Sequence, residues 1–392
     1  MGYSNFKKNS SRRFNDTRRC FVNPGLRIDV NRFINRAQNI ENEETFTPKH
    51  QFVDFAIDSK LKQNILSKKY TTPTPIQDQV IPLVLNNRDI IGIANTGTGK
   101  TAAFLIPLIN KIILNRQQKI IIMVPTRELA QQTQAELISF SRDLGIKSAL
   151  CIGGANIRVQ IRDLRNNPSF VIGTPGRLKD LIERKVLYLG NFHTVVLDEA
   201  DRMLDMGFIN DMKAILSLMP HPKQTLLFSA TISAQIEQIT RRFQNNPLKI
   251  SVKTRETLAN VDQNIIRVNH QGRKIDVLHD LLIKPGFEKV LVFGETKHGV
   301  EKLSNELNER GFKSTAIHGN KNQSARQRAL RQFTHNEVKI LVATDVAARG
   351  LDIPHVSHVI NYDVPASYND YVHRIGRTGR AGNAGKALTF VL

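Results

Sequence analysis

Ile90-Ile91-Gly92-Ile93-Ala94-Asn95-Thr96-Gly97-Thr98-Gly99-Lys100-Thr101 passes from an apolar run through a small-residue turn into the amphipathic stretch Ala102 to Leu114. Strand, loop and helix in that order are the setting a phosphate-binding loop requires. Gly97 and Gly99 let backbone N–H groups close round a polyphosphate, and the following helix turns its positive end to the anion. Lys100 has the reach for the β- and γ-phosphates, and Thr101 offers a hydroxyl to Mg²⁺. Ala94 stands where the strict pattern begins with glycine. A glycine-rich turn that binds nothing is the plain alternative. Gly-Lys-Thr at a helix start, directly after a buried strand, weighs against it.

On either side of this loop, apolar runs alternate with helical patterns. Ile90–Ile93, Ile120–Val124, Ala149–Ile152, Phe170–Gly173, Thr194–Leu197 and Thr225–Phe228 are expected strands. They are continuously apolar, as strands buried on both faces are. Amphipathic stretches such as Arg127–Leu144 and Met206–Leu218 lie between them. Such alternation predicts an α/β fold, a doubly wound parallel sheet with ligands at the carboxyl ends of its strands. The polar stretch 253–260 reads as a linker. A second series follows: Asn264–Val268, Val290–Phe293, Ser314–Ile317, Ile340–Ala343, His358–Asn361 and Ala387–Val391. It has no Gly-Lys-Thr loop. The expected division is an arm over 1–46, a first domain over 47–252, the linker, and a second domain over 261–392.

The strand Thr194–Leu197 ends in Asp198-Glu199-Ala200-Asp201. An enzyme with a phosphate loop needs an Asp at a neighbouring strand end to hold Mg²⁺, which suits Asp198. Glu199 can orient or deprotonate a water. A solvated acidic helix start is the bland reading of the same residues.

The chain of 392 residues is too long for one ordinary core, which again suggests two domains. Its formal net charge of +21 attracts polyanions. Nucleic acid leads, an anionic membrane comes second, and charge alone does not choose. Cys20 and Cys151 have no metal-ligand spacing and make no disulfide framework. No run approaches the length of a membrane helix and no apolar signal core is present, so a cytoplasmic protein is expected.

Residues 1–36 hold nine Lys and Arg against Asp16 and Asp29. Such a composition reads as a disordered basic arm. Phe6, Phe14, Phe21 and Phe33 are interleaved among the charges, and aromatics stack on bases. An RNA-contacting tail and a solvated leader with no target both stay open, as does a short helix over Asp29–Ala37.

Taken together, these segments resemble the DEAD-box ATP-dependent RNA helicases, of the bacterial type with no C-terminal extension. The similarity covers about 51–392. It rests on Asp198–Asp201 in company with Phe52, Tyr70 to Gln77, Ala94–Thr101, Pro125 to Ala130, Gly153-Gly154, Thr174 to Arg177 and Ser229-Ala230-Thr231. In the second half it rests on Val290 to Phe293, His318-Gly319, Ala343 to Asp352 and His373 to Arg380. Ala94 is what that family's pattern has at the head of the loop. Lys69 stands where the family usually has glycine.

The resemblance implies two tandem RecA-like domains and an RNA-stimulated ATPase that unwinds short duplexes or remodels ribonucleoprotein. ATP and Mg²⁺ are the implied cofactors. Tyr70 and Gln77 would recognise adenine, with the loop residues Ala94, Asn95, Thr96, Gly97, Thr98, Gly99, Lys100 and Thr101 on the phosphates and Asp352 on the ribose. Arg377 and Arg380 would be arginine fingers from the second domain. Thr126, Arg127, Gly154, Thr174, Gly176 and Arg177 would contact the RNA backbone from the first domain. Gln323, Arg326, Thr344 and Gly350 would do so from second-domain or interdomain positions. Asp201, Ser229, Thr231 and His373 would couple hydrolysis to unwinding. The resemblance also implies a monomer with little sequence preference, and ribosomal or RNA-decay partners. An ATP-gated RNA clamp with slow turnover is the alternative, against which Glu199, Arg377 and Arg380 argue. A translocating DNA helicase is a second rival, against which Gln77 and Asp198–Asp201 argue.

Overall fold

The computed structural model describes residues 33–34, 46–95, 97–252, 261–269, 274–348, 353, 355–379 and 385–391. The first domain has seven strands: β1 Ile90–Ile93, β2 Lys119–Met123, β3 Ser148–Cys151, β4 Phe170–Gly173, β5 Phe192–Leu197, β6 Gln224–Ser229 and β7 Leu248–Ser251. They form one sheet in the order β3-β4-β2-β5-β6-β1-β7. Every strand pairing in it among the described residues is parallel. The second domain has β8 Val261–Arg267, β9 Val290–Phe293, β10 Ser314–Ile317, β11 Ile340–Ala343, β12 His358–Asn361 and β13 Gly385–Val391, in the order β10-β11-β9-β12-β13-β8, again parallel.

The expected strands all form, with ends shifted by a few residues. Strand β7 was not expected. Its residues alternate between half-buried and exposed, because it closes the edge of the sheet and needs only one apolar face. The helix expected over Met206–Leu218 forms over Ile209–Ser217, and a separate short helix, Ala200–Asp205, precedes it, the two parted at Gly207, whose φ is 80°. That left-handed turn is open to glycine at little cost.

Two apolar clusters cover the faces of the first sheet. One contains Phe104, Ile120, Phe140 and Phe228, the other Ile121, Val195, Leu197 and Met212. This is the period of two read through a buried sheet: Ile120 and Ile121 go to opposite faces. The second sheet is covered in the same way by clusters around Val292 and Leu291.

Phe33 overturns its own reading as a base-stacking aromatic. It is fully buried, with its ring centroid 4.5 Å from that of Tyr371. Val261, Ile375 and Ala387 of the second domain complete the cluster. A ring closed off in this way has no face left for a base. The rest of the arm apart from Ile34 and Phe46, the linker 253–260, and Thr96, Gly350, Asp352 and Arg380 lie outside the described residues. Among the described residues no helix is long and apolar enough to cross a membrane.

Candidate functional site

The phosphate loop sits at the carboxyl end of β1, between β6 and β7. Gly97 and Gly99 have φ of 85° and 88°, the left-handed region glycine enters freely. A Cβ on Gly99 would also lie 2.4 Å from Gln77 Nε2. The helix Lys100–Leu114 begins there, and Lys100 is buried with Nζ donating to Ala94 O at 2.9 Å. Thr98 Oγ1 donates to Asn95 O, and Thr74 Oγ1 donates to Thr98 O. The loop is thus shaped before any phosphate arrives, with its cation folded against it.

Gln77 is almost fully buried. Its amide donates to Gly99 O at 3.1 Å and accepts from Thr74 N at 2.9 Å. Gln77 therefore fastens the loop to the helix Pro75–Leu85, whichever further contact its amide makes. Tyr70 packs edge-on to Phe52 and Phe140, with centroids 6.0 and 5.7 Å away. Lys69 before it has φ 62°, which explains why glycine suits this position.

The acidic strand end closes the other side. Asp198 is 2% exposed and accepts Glu199 N at 2.9 Å. Burial pushes its carboxyl up to about 6, against the pull of nearby Lys100. A carboxylate raised by desolvation gains most from a cation. One carboxylate with the Thr101 hydroxyl also suits an ion that keeps most of its ligands as water and phosphate. The donor set therefore fits Mg²⁺. Glu199 has φ 52° and ψ 50°, a left-handed conformation rare for a residue with a Cβ. Backbone strain of this kind is characteristic of active sites.

Asp201 gathers the end of β6. Its Oδ2 accepts from Ala230 N, Thr231 N and Thr231 Oγ1 at 3.1, 2.9 and 3.1 Å. Asp201 N donates to Ser229 Oγ, which donates in turn to Thr231 O. The sequence reading missed Arg202, which completes this network. Its Nη1 binds Glu199 Oε2 at 3.1 Å and its Nη2 donates to His373 Nδ1 at 2.9 Å, across to the second domain. The signal available was its place three residues after Glu199, one helical turn away. Burial, then Arg202, pushes the His373 imidazole down to about 4, so it meets Arg202 as a neutral acceptor. His373 lies on the helix Tyr368–Ile375. Arg377, one turn further on, is 3% exposed and close enough to His373 to lower its pKa. Arg374, also given no role in the sequence, fixes that helix through a bidentate pair with Asp345 at 2.6 and 2.7 Å.

The expected RNA contacts divide. In the first domain, Thr126 and Thr174 precede the helices Arg127–Phe140 and Pro175–Glu183, and Gly176 lies in the first turn of the latter. Arg127 passes over Gly153 and Gly154, where a Cβ on Gly154 would lie 2.1 Å from Nη1. Arg177 Nη1 donates to Gln160 Oε1 at 3.1 Å. In the second domain, Thr344 is buried at the end of β11. Gln323 and Arg326 take interdomain positions, one of the two placements expected for them. Both are buried against Glu128 of the first domain, Gln323 Nε2 at 3.4 Å and Arg326 Nε at 3.0 Å from Oε1. The short Arg326 contact is an ion pair without hydrogen-bond alignment, so charge and not direction holds it. Glu128 Oε2 and Gln323 Oε1 have no hydrogen-bond partner among the described residues. These residues tie the domains together, and Glu128 was missed because an acidic first turn is ordinary in a helix.

The family model described as DEAD/DEAH box helicase matches residues 74–239, and that described as helicase conserved C-terminal domain matches 273–382. The DEAD-box ATP-dependent RNA helicase CshA of Bacillus licheniformis is 49% identical over 342 residues, 87% of this chain and 70% of that protein. The protein of the same name from Bacillus subtilis is also 49% identical, over 87% and 69%. Among solved structures, S. cerevisiae Dbp5 bound to RNA and ADP BeF3 superposes with a TM-score of 0.77 at 31% identity, covering 87% of this chain and 89% of that one. Mss116p bound to ssRNA and AMP-PNP gives 0.79 at 27% identity, over 91% and 76%.

Proposed function

The chain belongs to the DEAD-box family of ATP-dependent RNA helicases, and from that premise we propose how its own residues couple ATP hydrolysis to the local unwinding of RNA or remodelling of ribonucleoprotein. The observation that carries the proposal is the Arg202 bridge, which links Glu199 of one domain to His373 of the other.

ATP enters with its phosphates at the 94–101 loop, and Lys100 Nζ leaves Ala94 O for the β- and γ-oxygens. Thr101 and Asp198 would hold Mg²⁺, which neutralises charge on those phosphates. Glu199 orients the attacking water and accepts its proton. Arg377 and Arg380 meet the charge that builds on the transferred group, an effect of about 10³–10⁵ in rate. Both come from the second domain, so hydrolysis waits on closure. Tyr70, Gln77 and Asp352 serve the nucleoside.

RNA supplies the other half of the closing energy. Thr126, Arg127, Gly154, Thr174, Gly176 and Arg177 offer backbone N–H groups, hydroxyls and guanidinium groups to phosphates, which positions a strand without reading its bases. Thr344 and Gly350 would meet the same strand from the other domain, with Gln323 and Arg326 holding the two domains together through Glu128. Bending the bound strand costs stacking in a duplex but not in a single strand, so closure favours separated strands. Release of phosphate undoes the closure and frees the RNA.

ATP hydrolysis measured alone, with RNA and with DNA, each with and without Mg²⁺, tests the reading. Stimulation by RNA that needs Mg²⁺ is expected. A rate indifferent to RNA overturns it.

A further inference from the structure

The opposite edge of the first sheet carries a second feature that the ATPase does not use. Residues just before or at the start of six strands line two open cavities of about 570 and 600 Å³. Gln118 and His193 belong to both, so the two form one trough. It runs beneath the sheet from the start of β4 to the start of β7. In the strand order these are five steps apart, about 24 Å at the usual strand spacing. The ATP loop lies at the far ends of the same strands.

The trough is basic. Arg116 and Lys119 line one cavity, Arg88 and Lys223 the other. None of the four forms an ion pair among the described residues. Arg116 Nη1 donates to Leu144 O at 2.8 Å, Lys119 Nζ to Asn167 Oδ1, and Lys223 Nζ lies 3.3 Å from His221 Nε2. These three hydrogen-bond partners are not carboxylates, and Asp89 acts on Lys223 and Arg88 only through space, so the lining keeps a net positive charge. The one carboxylate in the lining, Asp89, is turned inward: its two oxygens accept Thr225 N at 2.8 Å and Asn245 N at 2.6 Å. Most of the remaining lining is asparagine and glutamine, whose amides both donate and accept.

A small anion needs a pocket. A trough crossing most of a domain, with cations at intervals and amides between them, fits a linear polyanion. We propose that it is a second binding groove for single-stranded RNA, which holds the strand continuing out of the interdomain site. The proposal rests on RNA being the substrate of that site. Cations spaced along a groove grip the backbone without sequence preference, and the amides and the exposed His193 ring meet unpaired bases. The extra grip keeps the protein on a long RNA when the interdomain cleft opens between rounds of hydrolysis.

The test uses the full chain and two fluorescent oligouridylates, one short enough to fill only the cleft and one several times longer. The variants are R88E/K223E, R116E/K119E and their combination, with the four alanine substitutions as a gentler control on folding. The combined reversal should weaken binding of the long strand about tenfold or more and make its salt dependence shallower by about 3 in log–log slope. Binding of the short strand should not change. Photo-crosslinking of the long strand to the unaltered chain should mark the peptides around Arg116–Lys119 and Asn191–His193. Unchanged long-strand affinity and slope, with no crosslink in those peptides, overturn the proposal. So does loss of polyglutamate binding in the reversed variant while RNA binding persists, which would make the trough a protein-docking surface. ATP hydrolysis stimulated by the short strand, measured on the same samples, reports the interdomain site alone and so shows failure of either reading separately.

Discussion

Arg202 Nη2 lies 2.9 Å from His373 Nδ1, and through this bond the helix after Asp198-Glu199 touches the helix that leads to Arg377. The same guanidinium holds Glu199 Oε2 at 3.1 Å. Glu199, proposed to activate the water, and the second domain are therefore one side chain apart. His373→Ala removes the bridge but leaves Glu199 paired, so RNA-stimulated kcat should fall about tenfold with little change in the KM for ATP. Arg202→Ala should cost more, about 3–5 kcal/mol, because it strands a buried carboxylate. A double-mutant cycle on RNA-stimulated hydrolysis should give a coupling of about 0.5–3 kcal/mol. Strict additivity would show that the bridge is idle.

The same contact makes closure sensitive to protons. Burial and Arg202 hold His373 at about 4, whereas a solvated imidazole titrates near 6.5. Arg377 lowers it further, and Asp201 and Glu199 oppose the shift. The closed form thus binds fewer protons than the open form between those values. Closure is at full strength above about pH 6.5 and weakens by about 1.4 kcal/mol per unit as pH falls toward 4. RNA affinity with a non-hydrolysable ATP analogue, followed from neutral pH down to about pH 5, should decline in the parent and flatten in His373→Gln. Equal slopes would assign the dependence to another group.

The central strands of both sheets were legible in the sequence because a strand buried on both faces, such as Ile120–Met123 or Val290–Phe293, is a short apolar run. Strand β7 was not, because an edge strand such as Leu248–Ser251 buries only alternate residues. The residues proposed for the ATP site stood out in the sequence because glycine, lysine and paired carboxylates at strand ends have few other uses. The ties between domains did not. Arg202, Glu128 and Arg374 are ordinary helix residues in sequence, and their partners His373, Arg326 and Asp345 lie far away along the chain, so only the fold brings the first two pairs across the cleft and Arg374 onto Asp345. Phe33 misled for a related reason: an aromatic among arginines carries no sign of which surface will cover it.

Among the described residues, neither Asp198 nor Asp201 could stand in for Glu199 in the role proposed for it toward water. Asp198 is raised to about 6 and committed to the Glu199 amide, while Asp201 is spent on Ala230 and Thr231. Glu199→Gln keeps the shape and a hydrogen bond but cannot accept a proton. Turnover should drop about 10²–10⁴-fold, with binding of ATP and RNA retained. Unaltered phosphate release in this variant would remove Glu199 from the mechanism.

Lys69 holds φ 62° directly before Tyr70. An L-residue in this region carries about 1 kcal/mol of strain that glycine avoids, partly offset by the greater freedom of glycine when unfolded. Lys69→Gly should therefore leave stability level or raise it by up to about 0.5 kcal/mol, whereas glycine at an ordinary turn position costs stability. Urea unfolding of the full chain measures it. A loss above about 1 kcal/mol would mean that the lysine side chain contributes contacts of its own.

Phe33 lies far from the first domain in its contacts, though the chain reaches that domain soon after it. Its ring fills a cluster of Val261, Tyr371, Ile375 and Ala387, while Lys49 N donates to Asp78 Oδ2 of the first domain at 2.9 Å. Phe33 is thus anchored on the second domain and Lys49 on the first. Tyr371, beneath the ring, is itself fixed by its hydroxyl to Gln263 Oε1 at 2.9 Å, so the site has little freedom to collapse if the ring is removed. Removing a buried phenylalanine from such a site costs about 3–5 kcal/mol. Phe33→Ala should lower the thermal midpoint of the second domain by several degrees and leave the intrinsic affinity for a short RNA unchanged. Phe33→Leu, which keeps apolar volume, should recover most of the midpoint. If instead RNA affinity falls while the midpoint stays put, the ring serves bases and its burial against Tyr371 is not what keeps it in this chain.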